Sequence, residues 1–196
     1  MQKQRSDSVY STLIQQIASH YHLSPHQLSI EKSPQGKPFV YSILHNKKQR
    51  LPHCHISISH SNHISVWTLS QSPVSIDIEA TQDRRLLHPL LTKLLLSVDF
   101  SSPLTLSSSY VDLNQQIHDL DQQQRLLCFY KLWTFAESWC KWNDTTLWKT
   151  FQHKIPFPWM SLHDLLSCNL TQASPNLTIA YNLSFDHHII CQIYPS

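Results

Sequence analysis

Two acidic residues, Asp77 and Glu79, stand two positions apart in the segment S-I-D-I-E at residues 75–79. On a β-strand this spacing places both carboxylates on one face, roughly 7 Å apart. They could then share or bridge one hydrated divalent cation, whose preferred ligands are carboxylate oxygens. A half-buried strand that presents its acids to water has the same alternation, so the pattern leaves both interpretations open.

A third acid, Glu137, lies in residues 123–142, a segment with helical spacing of its apolar side chains. Trp133, Glu137 and Lys141 follow each other at intervals of four and therefore stack on one side of the helix. Glu137 could be a third oxygen ligand, and Lys141 a contact to a phosphate. The alternative is an ordinary surface pair of Glu and Lys, worth about 0.3 to 0.5 kcal/mol.

Two further clusters could bind a ligand. Ser59 and His60 lie in an I-S-H-S run at a strand end, where hydroxyls, backbone N–H groups and an imidazole can hold a phosphate; a polar hairpin turn is the alternative. The run His53, Cys54 and His55 suggests a zinc-binding module. A closed zinc site needs four ligands, and no second pair appears at the right spacing among the fourteen histidines.

Glycine usage is the most unusual feature of the composition. The chain has one glycine, Gly36, in 196 residues, where average usage of roughly 7% would give about fourteen. Sites that depend on glycine-rich phosphate loops, including the Walker and dinucleotide-binding fingerprints, are therefore excluded.

The elements that must position these residues form an α+β pattern. We predict two similar-sized halves that meet near residue 80, spanning 1–80 and 81–196, with the D-x-E strand in the first and the long helix in the second. The predicted elements are helices at 7–21, 86–96 and 123–142, a strand at 28–31, a turn at 33–36, β-structure over 53–80 with a turn at 60–62, a loop at 101–109, and a C-terminal hairpin of 177–184 with 188–194.

Composition and charge narrow the class of protein. With 41% hydrophobic and 14% charged residues, the chain can form a core. The net charge of +2 and the absence of a basic tract predict no nucleic-acid or membrane partner. No segment is apolar enough to span a bilayer. Five scattered cysteines and a polar start after Met1 predict a reducing, cytoplasmic location.

Four segments taken in order resemble a known family, the 4′-phosphopantetheinyl transferases of the surfactin-synthetase-activating type. That family's pattern runs G-K-P, N-[IL]-S-H-S, G-[IV]-D-[IV]-E and W-[ST]-x-K-E-[AS]-x-x-K. The corresponding segments are 36–38 (G-K-P), 58–61 (I-S-H-S), 75–79 (S-I-D-I-E) and 133–141 (W-T-F-A-E-S-W-C-K). The resemblance covers the chain from Arg5 to the C-terminal strands, and it gives Gly36 a place at the start of the first motif.

The resemblance implies a fold of two similar α+β halves in a pseudo-twofold arrangement, with coenzyme A between them. It implies that Asp77, Glu79 and Glu137 hold Mg²⁺ on the pyrophosphate of coenzyme A, and that Lys141 stabilises charge on the phosphoryl or leaving group. The implied contacts to the nucleotide and its phosphates are Lys37, Ser59 and His60, with Arg5 and Ser6 at the 3′-phosphate end.

The implied reaction transfers the phosphopantetheine arm to a serine of an apo acyl or peptidyl carrier protein and releases 3′,5′-ADP. Catalysis would consist mainly of positioning and charge neutralisation. Glu137, or a water held by the cation, would accept the serine proton. A monomer would be sufficient for this activity.

The chain departs from the family pattern at several positions. Ala136 replaces the lysine before the helix glutamate, Ser75 replaces a motif glycine, and 143–146 replaces a glycine-rich stretch; Asp99 is the best counterpart of an acid between the halves. The alternative function is therefore a non-catalytic relative that binds coenzyme A or a carrier protein without transfer. Ala136 favours that alternative, and the intact set Asp77, Glu79, Glu137 and Lys141 opposes it.

Overall fold

In the computed structural model, the described residues are 2–61, 64–80, 87–99, 115–152, 155–156, 177–179 and 190–195. They form a mixture of helices and sheets, which agrees with the predicted α+β class. The chain divides into two compact units. The first unit comprises Met1–Ile76 and Asn182–Ser196, and the second comprises Asp77–Tyr181.

The first unit opens with helix α1, Gln2–Tyr21, which begins five residues before the predicted start. Leu13, Ile17 and Ala18 on this helix are buried at the helical spacing that the sequence shows. They form one apolar core with residues of the following strands: Leu28, Val40, Cys54, Ile56, Trp67 and Leu69.

Three antiparallel strands follow helix α1 as a meander: β1 (Leu28–Lys32), β2 (Pro38–Leu44) and β3 (Lys47–Arg50). The predicted turn before β2 is confirmed, because Gly36 has φ +96° and donates its backbone N–H to the Ser33 carbonyl at 2.9 Å. His45 and Asn46 between β2 and β3 have φ of 49° and 58°. A two-residue hairpin turn with both φ values positive matches the twist of its strands.

A second antiparallel sheet of the first unit has the order β10-β5-β4. Its strands are β4 (His55–Ser61), β5 (Ile64–Ser70) and β10 (Ile190–Pro195). Strand β4 extends through two of the three residues predicted as a turn at 60–62, and residues 62–63 lie outside the described part of the chain.

The second unit contains helices α2 (Leu87–Ser97), α3 (Gln122–Asn143) and α4 (Leu147–Thr150). Its strands pair as β6 (Ile78–Ala80) with β9 (Leu177–Ile179), antiparallel, and as β7 (Val98–Asp99) with β8 (Ile155–Pro156), parallel. Both predicted helices, 86–96 and 123–142, are confirmed within one residue of their bounds. None of the described helices combines the length and apolar composition needed to cross a bilayer.

The two C-terminal strands differ from the predicted hairpin. Strand β9 pairs with β6 in the second unit, and β10 pairs with β5 in the first. The chain therefore returns to its first unit at the end, instead of dividing once near residue 80. Alternation in a sequence indicates a strand but not its partner, which explains the difference. The predicted loop at 101–109 and the connection at 180–189 lie outside the described residues.

Candidate functional site

Helix α3 positions Glu137 and Lys141 near its C-terminal end. Asp121 caps its start by accepting from the Gln124 backbone N–H at 2.8 Å, and the Gln124 side chain accepts from the Asp121 N–H at 3.2 Å. This reciprocal capping box satisfies backbone donors that the first helical turn leaves without partners. Asp144 ends the helix with φ 51°, in the left-handed conformation that glycine adopts most easily. The departure at 143–146 thus replaces a favourable glycine position with a tolerated aspartate.

The segment before β6 is buried on both faces, unlike a strand that presents its acids to water. Each residue from 74 to 78 is at most 3% exposed, including Ser75 and Asp77. The Ile76 backbone N–H donates to Ser57 Oγ at 3.0 Å. The interpretation of Asp77 as a solvated strand residue is therefore wrong, because burial on both faces leaves it no access to water.

Asp77 forms an ion pair inside the second unit. Lys141 Nζ lies 2.6 Å from Asp77 Oδ1, and the side-chain exposures are 30% for Lys141 and 2% for Asp77. This contact spans 64 residues of sequence, so Lys141 is not limited to a local pair with Glu137 one helical turn away. A charged hydrogen bond to a buried carboxylate is stronger than an exposed pair.

Glu137 shares the electrostatic environment of this ion pair. Its pKa is raised from 4.5 to about 7, first by burial and then by the negative charges of Asp77 and Glu79, with Asp77 the larger of the two. Lys141 and a hydrogen-bonding interaction with the Trp133 side chain oppose the rise. The predicted residues Asp77, Glu79, Glu137 and Lys141 therefore belong to one interacting cluster, which we call the acidic cluster.

The acidic cluster fits a hard divalent cation by its chemistry and charge. It contains three carboxyl groups against one ammonium group, and carboxylate oxygens are the ligands that Mg²⁺ prefers. The pKa of Glu137 is raised first by burial and then by the nearby negative charges of Asp77 and Glu79, and both effects disfavour its charged form. Among the described residues, no three His, Cys, Asp or Glu side chains are grouped closely enough to hold one metal ion together.

Ala136 and Ser138, on either side of Glu137, are buried at 1% and 0% exposure. Position 136, where the resembled family pattern has a lysine, is thus an interior one in this chain. A lysine there would place its ammonium among buried side chains, where an unpaired charge is strongly destabilising.

The predicted ligand contacts outside the acidic cluster belong to the first unit. Lys37 follows Gly36 and donates its backbone N–H to Ser33 Oγ at 3.0 Å. On β4, Ser59 is 6% exposed, whereas His60 is exposed. Arg5 and Ser6 lie on α1, and their side chains are outside the described residues, as is that of Asp99 on β7.

One cationic neighbourhood in the first unit was not predicted. Burial lowers the pKa of His55, and the positive charges of Arg50, Lys37 and His53 lower it further. Arg50 ends the exposed strand β3, and its guanidinium lies 4.3 Å from the ring centre of Phe39. The basic run K-K-Q-R at 47–50 was the available signal, but only the strand pairing brings it toward Lys37.

Cys54 in the suggested zinc cluster has a structural environment. Burial raises its pKa to about 11, so the thiol stays protonated near neutral pH, although a hydrogen bond to Tyr21 opposes the rise. The Tyr21 hydroxyl also donates to the His53 carbonyl at 2.5 Å. A buried thiol that stays protonated is typical of a structural cysteine.

Comparisons with known proteins do not assign this chain to a family. The chain matches no protein-family model and no curated protein.

Proposed function

We propose that this protein transfers the 4′-phosphopantetheine arm of coenzyme A to a serine of an apo acyl or peptidyl carrier protein, with Mg²⁺ as cofactor. The observation that carries the proposal is the acidic cluster. A buried aspartate 2.6 Å from Lys141, beside a glutamate with a pKa of about 7, is a costly arrangement that a ligand-binding role explains. Four ordered segments resembling the transferase family add support, and its two pseudo-twofold halves are part of the proposal.

The residues of the acidic cluster have complementary roles in this proposal. Asp77, Glu79 and Glu137 hold the cation, which neutralises charge on the pyrophosphate of coenzyme A. In this proposal Glu137 also accepts the proton of the attacking serine hydroxyl as the general base. Lys141 stabilises the negative charge that develops on the phosphoryl and leaving groups.

The first unit contributes contacts to the nucleotide end of coenzyme A. Lys37 and His60 supply charge and hydrogen bonds to phosphate oxygens, and Ser59 supplies a hydroxyl. Arg50 and Lys37 together make the potential around His55 positive. Arg5 and Ser6 are assigned to the 3′-phosphate. The attacking serine then displaces 3′,5′-ADP from the β-phosphate, and catalysis rests on positioning these groups.

The second candidate is a relative that binds coenzyme A or a carrier protein without transferring the arm. The buried Ala136 favours it, because the family lysine is absent and the interior position cannot take a charged replacement without a large cost.

Intact-mass spectrometry of apo carrier proteins tests the proposal. Several carriers are incubated with the protein, coenzyme A and Mg²⁺, and we expect one to gain a single phosphopantetheinyl group. The gain should disappear with EDTA and in Glu137→Gln, and it should persist in the matched control Lys149→Met, which alters an exposed side chain of α4. Binding of coenzyme A without a mass gain on any carrier would support the non-catalytic candidate.

A further inference from the structure

The Lys141 ammonium contacts the carboxylate of Asp77, which is expected to hold the cation. Its Nζ is 2.6 Å from Asp77 Oδ1. An ammonium and a divalent ion at such distances from one buried carboxylate repel each other strongly, because the surroundings screen charge poorly. Lys141 and the cation therefore compete for Asp77.

The exposures of the two side chains show which of them can move. Asp77 is 2% exposed and fixed within a segment buried on both faces, whereas Lys141 is 30% exposed at the C-terminal end of α3. A lysine side chain is long and flexible, so its ammonium can leave Asp77 while its backbone stays in place. Leaving has a cost unless another anion receives the ammonium.

A diphosphate ligand supplies that anion together with the cation. Glu137, one helical turn from Lys141, is a less suitable acceptor because it is itself an expected ligand of the cation. Phosphate oxygens bound at the acidic cluster would accept hydrogen bonds from the displaced ammonium. The cost of breaking the Lys141–Asp77 pair is then recovered only when cation and ligand are both present.

We infer that Lys141 is a placeholder cation, which neutralises Asp77 in the free protein and transfers to the diphosphate of the ligand when the divalent cation binds. This inference rests on the proposed function and deepens it. It makes the cation and coenzyme A bind cooperatively, each strengthening the other by the same factor.

Mn²⁺ affinity with and without coenzyme A tests the inference without measuring transfer. Free Mn²⁺ is followed by electron paramagnetic resonance in titrations of the full chain, corrected for Mn²⁺ bound by coenzyme A alone. For the unaltered protein, we expect coenzyme A to tighten Mn²⁺ binding by about tenfold or more. Lys141→Met should tighten Mn²⁺ binding without coenzyme A by about tenfold and lose most of the cooperativity.

Two further variants separate charge from shape. Lys141→Arg retains the positive charge and should keep both weak Mn²⁺ binding and cooperativity, whereas Lys149→Met should behave as the unaltered protein. Equal or weaker Mn²⁺ binding by Lys141→Met, or no Mn²⁺ binding by either protein, would overturn the inference. The expected Mn²⁺ pattern without a mass gain on any carrier would leave the inference standing and reject the proposed transfer.

Discussion

The two units bury different kinds of polar side chain. Among the described residues of the first unit, every buried polar side chain is a hydroxyl: Ser42, Ser57, Ser59, Thr68, Ser70 and Ser75. The second unit buries two charged residues, Asp77 and Lys131, as well as hydroxyls. A hydroxyl is cheaper to bury than a charge, which needs a partner and further hydrogen bonds.

The titratable groups show the same difference. In the first unit, burial raises the pKa values of Tyr21 and Cys54, so both groups stay neutral near pH 7. In the second unit, Asp77 pairs with Lys141, and Glu137 has its pKa raised into the physiological range. Neutral groups fit a structural role, whereas groups that change charge near pH 7 are typical of functional sites. The comparison therefore supports the proposal that the chemistry belongs to the acidic cluster of the second unit.

The largest expected effect tests whether the buried position 136 of α3 tolerates a charge. Ala136→Lys should lower the free energy of unfolding by about 3 kcal/mol or more, because it buries an ammonium without a partner. Gln123→Lys, at an exposed position of the same helix, should change it by less than about 0.5 kcal/mol. Urea denaturation measures both. Equal stability of the two variants would show that position 136 can hold a charged side chain, contrary to this expectation.

Replacing Glu137 should change the free energy of unfolding by an amount that depends on pH. A purely structural residue would give a change that does not depend on pH. The pKa of Glu137 is raised by folding. Its contribution to the free energy of unfolding is therefore complete below pH 4.5 and is lost as the pH rises through about 7. In EDTA, Glu137→Gln should thus stabilise the protein at pH 8 by about 2 kcal/mol, a value reduced for partial exposure, and have little effect at pH 4. Thermal unfolding at both pH values checks this. A difference independent of pH would place Glu137 outside the cluster.

The smallest effect concerns the first unit and should not depend on pH near neutrality. Tyr21→Phe removes the hydroxyl that donates to the His53 carbonyl and should lower the free energy of unfolding by about 1 kcal/mol. The pKa values of Tyr21 and Cys54 are raised, so their contributions are complete below the ordinary values of 10.0 and 9.0 and are lost only at higher pH. Urea titrations at pH 6 and pH 8 should give the same loss. A loss confined to one of them would contradict the assignment of neutral, structural groups.

The local elements of the fold could be predicted because they depend on short-range patterns. The apolar stripe of α3, with Phe129, Leu132 and Cys140, placed the helix within one residue of its observed bounds. The turn at Gly36 followed from its residue types in the same way. Pairing depends on long-range packing, which no local pattern encodes. The separation of β9 and β10 into different units was therefore missed.

The candidate site could be predicted as a set of residues but not as a geometry. Spacing placed Asp77 with Glu79, and Glu137 with Lys141, on their own elements. Period two cannot reveal that Ser75 and Asp77 are buried together with the apolar residues between them. Nor can helical spacing show that Lys141 pairs with Asp77, 64 residues away. Those facts depend on how the chain packs around the helix.

The most direct test of the central claim, that the acidic cluster holds a divalent cation, is a crystal structure of the protein with coenzyme A and Mn²⁺. We expect an anomalous difference peak within bonding distance of carboxylate oxygens from Asp77, Glu79 and Glu137, with Lys141 Nζ moved from Asp77 to a phosphate oxygen. Bound coenzyme A with no peak at these residues, and with the Lys141–Asp77 pair intact, would contradict the account.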